Sequence, residues 1–179
     1  GFLRWFSEEA VRLEGATAVL ADGARDAREQ VFALAEKIKS PIGHSFRGKM
    51  FIAHDNPFDV GMTGLLGYGA AAEGMNDADV LILLGTDFPY DQFLPDTLTI
   101  QVDRDASVLG RRTQVDYPVH GDTLATVQGL LPLLKRKRSR SFLKKTLKRH
   151  DRIMNHAVGA YTRNVKRLSP IHPEYVASV

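Results

Sequence analysis

The chain has no cysteine, which excludes disulfides, thiolate metal sites and cysteine nucleophiles. It has no apolar run approaching the roughly 20 residues that a membrane-spanning helix needs. Its six histidines, His44, His54, His120, His150, His156 and His172, include no i, i+4 pair enclosing an acidic base, so the helical zinc-hydrolase arrangement is missing. No serine sits in a nucleophile elbow, and no lysine closes a Walker-type loop. These absences leave no catalytic residue and no metal ligand to nominate. The start, Gly1-Phe2-Leu3-Arg4-Trp5-Phe6, lacks the basic-then-apolar layout of a secretory signal, and a cytoplasmic location is the expectation.

What is present suits one globular domain with extensions: 179 residues, 44% apolar and 25% charged. The net charge of +3 is unevenly spread. Lys135, Arg136, Lys137, Arg138, Arg140, Lys144, Lys145, Lys148, Arg149 and Arg152 crowd one short stretch, whereas the preceding region is acidic to neutral. That asymmetry places a boundary near 138, between a domain over 1–138 and a basic, helical arm over 139–179. Residues 135–152 have the charge to bind nucleic acid or anionic lipid. They lack interleaved aromatics, however, and a solvated helix face explains them as well, so no nucleic-acid partner is expected.

Apolar periodicity predicts alternating strands and helices. Residues 3–14 read as a short amphipathic helix through Leu3, Phe6, Ala10, Val11 and Leu13. A strand over 17–21 ends at Asp22-Gly23, and a helix over 27–39 follows with Val31, Leu34, Ala35 and Ile38 on one face. Residues 41–44 suit a short strand, and the Gly- and Ala-rich stretch 62–76 a helix packed close to a sheet. Residues 79–85 are apolar on both faces, as a central parallel strand covered by two helix layers must be. Strands over 98–103 and 117–120 and a helix from 123 to about 134 complete the series. The fold expected is α/β, a three-layer α/β/α sandwich on a doubly wound, Rossmann-like parallel sheet of about six strands. Past 139 the chain reads as a connecting arm, broken at Ser169-Pro170-Ile171-His172-Pro173.

Ligands of such sheets bind at the carboxyl ends of the strands, and four groups of residues fall there. The turn Asp22-Gly23-Ala24-Arg25 lets backbone approach an anion, with Arg25 to neutralise it; a plain glycine turn explains it equally. Ser45-Phe46-Arg47-Gly48-Lys49 brings two cations to a strand end, or is a solvated basic loop. Gly61, Gly64, Gly67 and Gly69 cost about 1 kcal/mol each in a helix, so either a sheet or a flat ligand needs the backbone close. Asp103, Asp105 and Gly121-Asp122 put carboxylates where ribose hydroxyls would be bound, although Asp122 before Thr123 is also a helix N-cap.

Together these segments resemble a known family. Residues 34–42, Phe46-Arg47-Gly48-Lys49, the run from Asp55 to Gly67, Leu84-Gly85-Thr86-Asp87-Phe88-Pro89-Tyr90, Gln101-Val102-Asp103-Arg104-Asp105 and Val119-His120-Gly121-Asp122 are similar in order and spacing to the central domain of pyruvate oxidase or pyruvate:quinone dehydrogenase. Ile171-His172-Pro173 resembles the junction into that family's diphosphate-binding domain. The resemblance implies an extended FAD across the strand ends. Gly23, Ala24 and Arg25 would lie near its ribityl and diphosphate, and Ser45, Phe46 and Arg47 in a second flavin-contacting loop. Leu66, Gly67 and Tyr68 would lie at the glycine-rich helix start, and Gly85, Thr86 and Asp87 in the loop after the central strand. Asp103, Asp105, Gly121 and Asp122 would lie at the adenosine end. One departure stands out: Ala21-Asp22 replace a glycine and a neutral residue.

The resemblance further implies a parent enzyme that decarboxylates pyruvate on thiamine diphosphate and magnesium, held outside these residues, and passes electrons to FAD. This chain alone would then be an excised middle domain without turnover. Its partners would be the flanking domains and a tetrameric homo-oligomer, with any membrane contact peripheral and confined to the parent. The Phe88-Pro89-Tyr90 and Arg47-Gly48-Lys49 motifs favour the pyruvate-oxidising branch. The alternatives are a non-redox carboligase or decarboxylase relative with structural FAD or none, or a scaffold or nucleic-acid-binding module acting through residues 135–152.

Overall fold

The computed structural model describes residues 14–162 together with 165, 169–171, 173 and 176. The helix expected over 3–14 falls outside these residues but for Glu14, and so does His172 of the expected junction. The strands are β1 (Ala16–Leu20), β2 (Ile42–His44), β3 (Asp59–Met62), β4 (Tyr68–Gly69), β5 (Val80–Leu84), β6 (Leu98–Asp103) and β7 (Tyr117–His120). The helices are α1 (Arg28–Ile38), α2 (Lys49–Ile52), α3 (Ala71–Asn76), α4 (Thr123–Leu130) and α5 (Ser141–Thr162).

The strands form one sheet in the order β4-β3-β2-β1-β5-β6-β7, parallel except for the β4 edge. The chain builds outward from β1 to β3, then returns to place β5 on the other side of β1. That reversal is the topological switch point of a doubly wound sheet.

The two-residue period of a strand decides which layer each side chain joins. Ala16, Ala18, Leu20, Val80, Ile82, Leu84, Ile100 and Val102 face a core shared with Val31, Leu34, Ala35 and Ile38 of α1 and Val127 and Leu130 of α4. Val19, Leu81 and Leu83 point the other way, onto Met75 of α3. Each fully buried Leu or Ile contributes roughly 1.5–3 kcal/mol, so a strand apolar on both faces is stable only between two helix layers.

Two expectations need correction. The stretch 62–76 is a helix only from Ala71. Gly61, Gly64 and Gly69 take φ of +93°, +100° and +78°, values no right-handed helix uses, and they fold the segment into the end of β3, a turn and β4. That hairpin raises the strand count to seven. The helix expected to about 134 ends at Leu130 and tightens into a turn of 3-10 helix over Leu131–Leu133, because Pro132 cannot continue the hydrogen-bond ladder.

The basic stretch does form a long helix, α5, and its first half lies on the domain. Leu143 is fully buried, Thr146 is buried, and Leu147 packs against the core. Lys145 and Arg149 reach Asp77 at 2.9 and 3.3 Å. Ahead of the helix, the buried ammonium of Lys137 donates to the carbonyl of Glu14 at 2.8 Å. Among the described residues, no helix is long and apolar enough to cross a membrane.

Candidate functional site

The loops after β1, β2, β3 and β5 surround a cleft of about 420 Å³ at the carboxyl rim, within the usual range for small-molecule sites. Each strand delivers a short loop. After β1 come Ala21 and Asp22; after β2, Ser45, Phe46 and Arg47; after β3, Met62, Thr63, Leu65 and Leu66; after β5, Thr86, Asp87, Pro89 and Tyr90. Gly64 allows Tyr90 its position, because a Cβ there would lie 2.8 Å from the tyrosine ring.

The lining is largely apolar, and it carries two unsatisfied donors. The hydroxyls of Ser45 and Thr63 are buried with no hydrogen-bond partner, in residues 9% and 3% exposed. A buried hydroxyl without a partner costs about 1–3 kcal/mol. Both residues line the cleft. Phe46, Leu65 and Leu66 are well exposed around the mouth, as flat apolar surfaces awaiting contact.

Of the residues nominated from sequence, Ser45, Phe46, Arg47, Leu66, Thr86 and Asp87 meet in this cleft. Arg25 lies in an adjoining groove of about 530 Å³ with Lys49, Met50 and Phe51, which shares Asp22, Phe46 and Arg47 with the cleft. Its guanidinium sits 4.8 Å from the Phe51 ring centre. Gly67 and Tyr68 belong to the β3–β4 hairpin and line neither space. Tyr68 instead receives the Lys49 ammonium over its ring at 5.0 Å. The lining residues Met62, Thr63, Leu65, Pro89 and Tyr90 were absent from the sequence nomination, though both glycine-rich motifs bracket them.

The turn after β1 differs from the expected anion seat. The Gly23 amide donates to the Gly85 carbonyl and the Ala24 amide to that of Ala21, both at 3.1 Å. Asp22–Ala27 form a kinked 3-10 stretch rather than the start of an α-helix. Those two amides are already used, and the Asp22 carboxylate of the same turn lies 3.6 Å from Arg47.

Asp103, Asp105, Gly121 and Asp122 cluster at the ends of β6 and β7, beyond the cleft. Asp103 accepts the amide of Asp105 and Asp105 that of Ser107, each at 2.9 Å. The Gly121 amide donates to the Asp103 carbonyl at 2.8 Å. Asp122 caps α4 through the Ala125 amide at 2.8 Å and takes the Arg104 Nε at 2.7 Å. Those bonds, from Ala125 first and Arg104 second, hold its carboxyl below the usual range.

On the β5 side of the cleft, Asp87 is gripped by two arginines from the loop after β6. Arg111 Nε donates to it at 3.1 Å and Arg112 Nη2 at 3.5 Å. Partial burial pushes the Asp87 carboxyl up, but the hydrogen bonds from Arg111 and Arg112 outweigh it and leave it below its ordinary value. Neither arginine stood out in the sequence, where they lie 24 and 25 positions from Asp87. Chemically, such an arrangement is suited to binding and orienting rather than to bond making: it offers hydroxyls, apolar walls and paired charges at its edge.

A family model described as the central domain of thiamine pyrophosphate enzymes matches residues 15–130. An uncharacterized 42.6 kDa protein in the isoamylase 3′ region of Pseudomonas amyloderamosa is 44% identical over 71% of this chain and 32% of its own length. YdaP of Bacillus subtilis, whose name describes a thiamine pyrophosphate-containing protein, is 34% identical over 68% of this chain and 21% of its own. An acetolactate synthase of Mycobacterium leprae is 30% identical over 62% of this chain and 19% of its own. The chain thus spans a third or less of the length of these relatives.

Proposed function

Since the chain belongs to the family of thiamine pyrophosphate enzyme central domains, we propose that it holds FAD for a parent enzyme of the pyruvate oxidase or pyruvate:quinone dehydrogenase type. The observation that carries this reading is the cleft at the strand ends, whose largely apolar wall includes Ser45 and Thr63 with buried, unpartnered hydroxyls. A flat heteroaromatic ring with a polar edge fits such a wall. Ser45 and Thr63 would bond its polar edge, while Phe46, Leu66 and Tyr90 would flank it and exclude water. When bound, the flavin supplies a two-electron acceptor; these residues fix its orientation. In the same reading, the nucleoside end lies toward Asp103 and Asp122. Thiamine diphosphate and magnesium are held by other parts of a cytoplasmic, tetrameric parent, through contacts with its flanking domains.

The test has two parts. Titrating the chain with FAD should quench flavin fluorescence saturably. The longer protein containing this domain, supplied with FAD, thiamine diphosphate and magnesium, should bleach on adding pyruvate. A second reading, a carboligase whose flavin is structural or absent, is favoured by the similarity to the acetolactate synthase of M. leprae. It predicts acetolactate formation without bleaching. A chain that binds no flavin would overturn the FAD reading.

A further inference from the structure

Along the rim the loops follow strand order: β3, β2, β1, β5, β6 and β7. The cleft occupies the first four, and the carboxylates Asp103, Asp105 and Asp122 occupy the last two. A dinucleotide with its ring in the cleft and its ribose at Asp103 must therefore carry its diphosphate past the β5 and β6 loops. Asp87 stands there, and a lone carboxylate would repel two phosphates. We propose that Arg111 and Arg112, anchored on Asp87, hold that diphosphate. The inference rests on the flavin reading above and concerns only where the negative charge is met.

Three observations support it. First, two amides of the turn after β1, those of Gly23 and Ala24, are already spent on Gly85 and Ala21. Second, two guanidiniums meet on the Asp87 carboxylate at the required point, with the Asp105 carboxylate also acting on Arg111. The arginine side chains are 47% and 37% exposed, so each keeps donors facing solvent, and the planar guanidinium fork suits phosphate oxygens. Third, the other rim cations sit elsewhere. Arg25 over Phe51, Arg47 beside Asp22 and Lys49 over Tyr68 all lie on the β2 side, away from Asp103. Arg104 is committed to Asp122.

The experiment compares FAD with riboflavin, which keeps the ring and loses both the phosphates and the adenosine. Both are titrated into the 179-residue chain by fluorescence, at low and moderate salt. The wild type should bind FAD at least tenfold more tightly than riboflavin, by a margin that shrinks with salt. R111A/R112A should lose the salt-dependent part of that margin and leave riboflavin affinity unchanged. R111K/R112K keeps the charge without the fork and should recover part of it, and it serves as the readout should the alanine variant melt early. An alanine variant that is folded and binds FAD as tightly as the wild type overturns the diphosphate role while leaving the flavin reading intact. If the wild type binds neither compound, the flavin reading itself fails and takes this inference with it.

Discussion

The amide of Gly23 donates to the carbonyl of Gly85 at 3.1 Å, joining the loops after β1 and β5 where the strand order reverses. A crevice is the usual feature of such a switch point; here backbone lies directly on backbone. A Cβ on Gly23 would lie 2.7 Å from the Gly85 oxygen, so only glycine allows the approach. The contact closes the floor of the rim and pushes the open cleft toward β2 and β3.

The first prediction concerns that floor. Gly85 has φ of +59°, and an added Cβ would lie 2.6 Å from the Ala24 nitrogen. Gly85→Ala adds backbone strain to a clash that cannot relax, and should cost about 2–4 kcal/mol. Gly110, at φ +73°, has its nearest neighbour 4.0 Å away, so Gly110→Ala should cost only about 1 kcal/mol of strain. Chemical denaturation of both variants checks the order, and equal losses would dismiss the contact.

Removing the orphaned hydroxyls should separate stability from binding. Ser45→Ala and Thr63→Val delete donors that have no partner in the fold. Stability should therefore stay within about 0.5 kcal/mol of the wild type or rise. Flavin affinity should fall about fivefold to tenfold for each, the value of one buried hydrogen bond. A loss of stability with unchanged binding would show that these hydroxyls serve the fold alone.

The pH dependence near neutrality should come from His44. Its ring is fully buried, 3.7 Å from Asp59, with Lys49 and His150 also facing it. Burial is the main influence and pushes its pKa below the ordinary 6.5. The folded state thus holds the ring neutral where the unfolded chain takes up a proton. Stability from this group is fully present above about pH 6.5 and falls as the pH drops toward the folded pKa. Unfolding free energies at pH 7.5 and 5.5 should differ in the wild type. The difference should shrink in His44→Gln, whereas an unchanged slope would place the linkage elsewhere.

Helix α5 should prove part of the folding unit. Leu143→Ala removes a fully buried side chain and should cost about 2–5 kcal/mol. Lys144→Ala, one position on and exposed, should change stability by less than about 0.5 kcal/mol. Thermal or denaturant melts of the two variants test this. Two near-neutral results would mean that the helix is an independent arm.

Much of the fold was legible because its rules are local. Two-sided apolar runs marked β1 and β5, and the i, i+3, i+4 spacing of Val31, Leu34, Ala35 and Ile38 marked α1. The Asp122-Thr123 pair marked the cap of α4, which the Ala125 amide bears out. The hairpin of β3 and β4 was hidden because glycine composition reports permission for positive φ, not its use. Within the site, the β2 and β5 loops could be nominated from strand ends alone, whereas Thr63 and Tyr90 could not. Their place depends on how Gly64 turns the chain.

Sequence by itself determined the α/β layering, the sheet edge that carries the cleft-forming loops and the family, because hydrophobic period and loop residues are properties of neighbouring positions. Only the tertiary structure decided which hydroxyls lack partners, that the β1 turn has spent the amides of Gly23 and Ala24, and that Asp87 meets Arg111 and Arg112. Those facts depend on strand order and on the approach of groups tens of residues apart, and no local pattern encodes such distances.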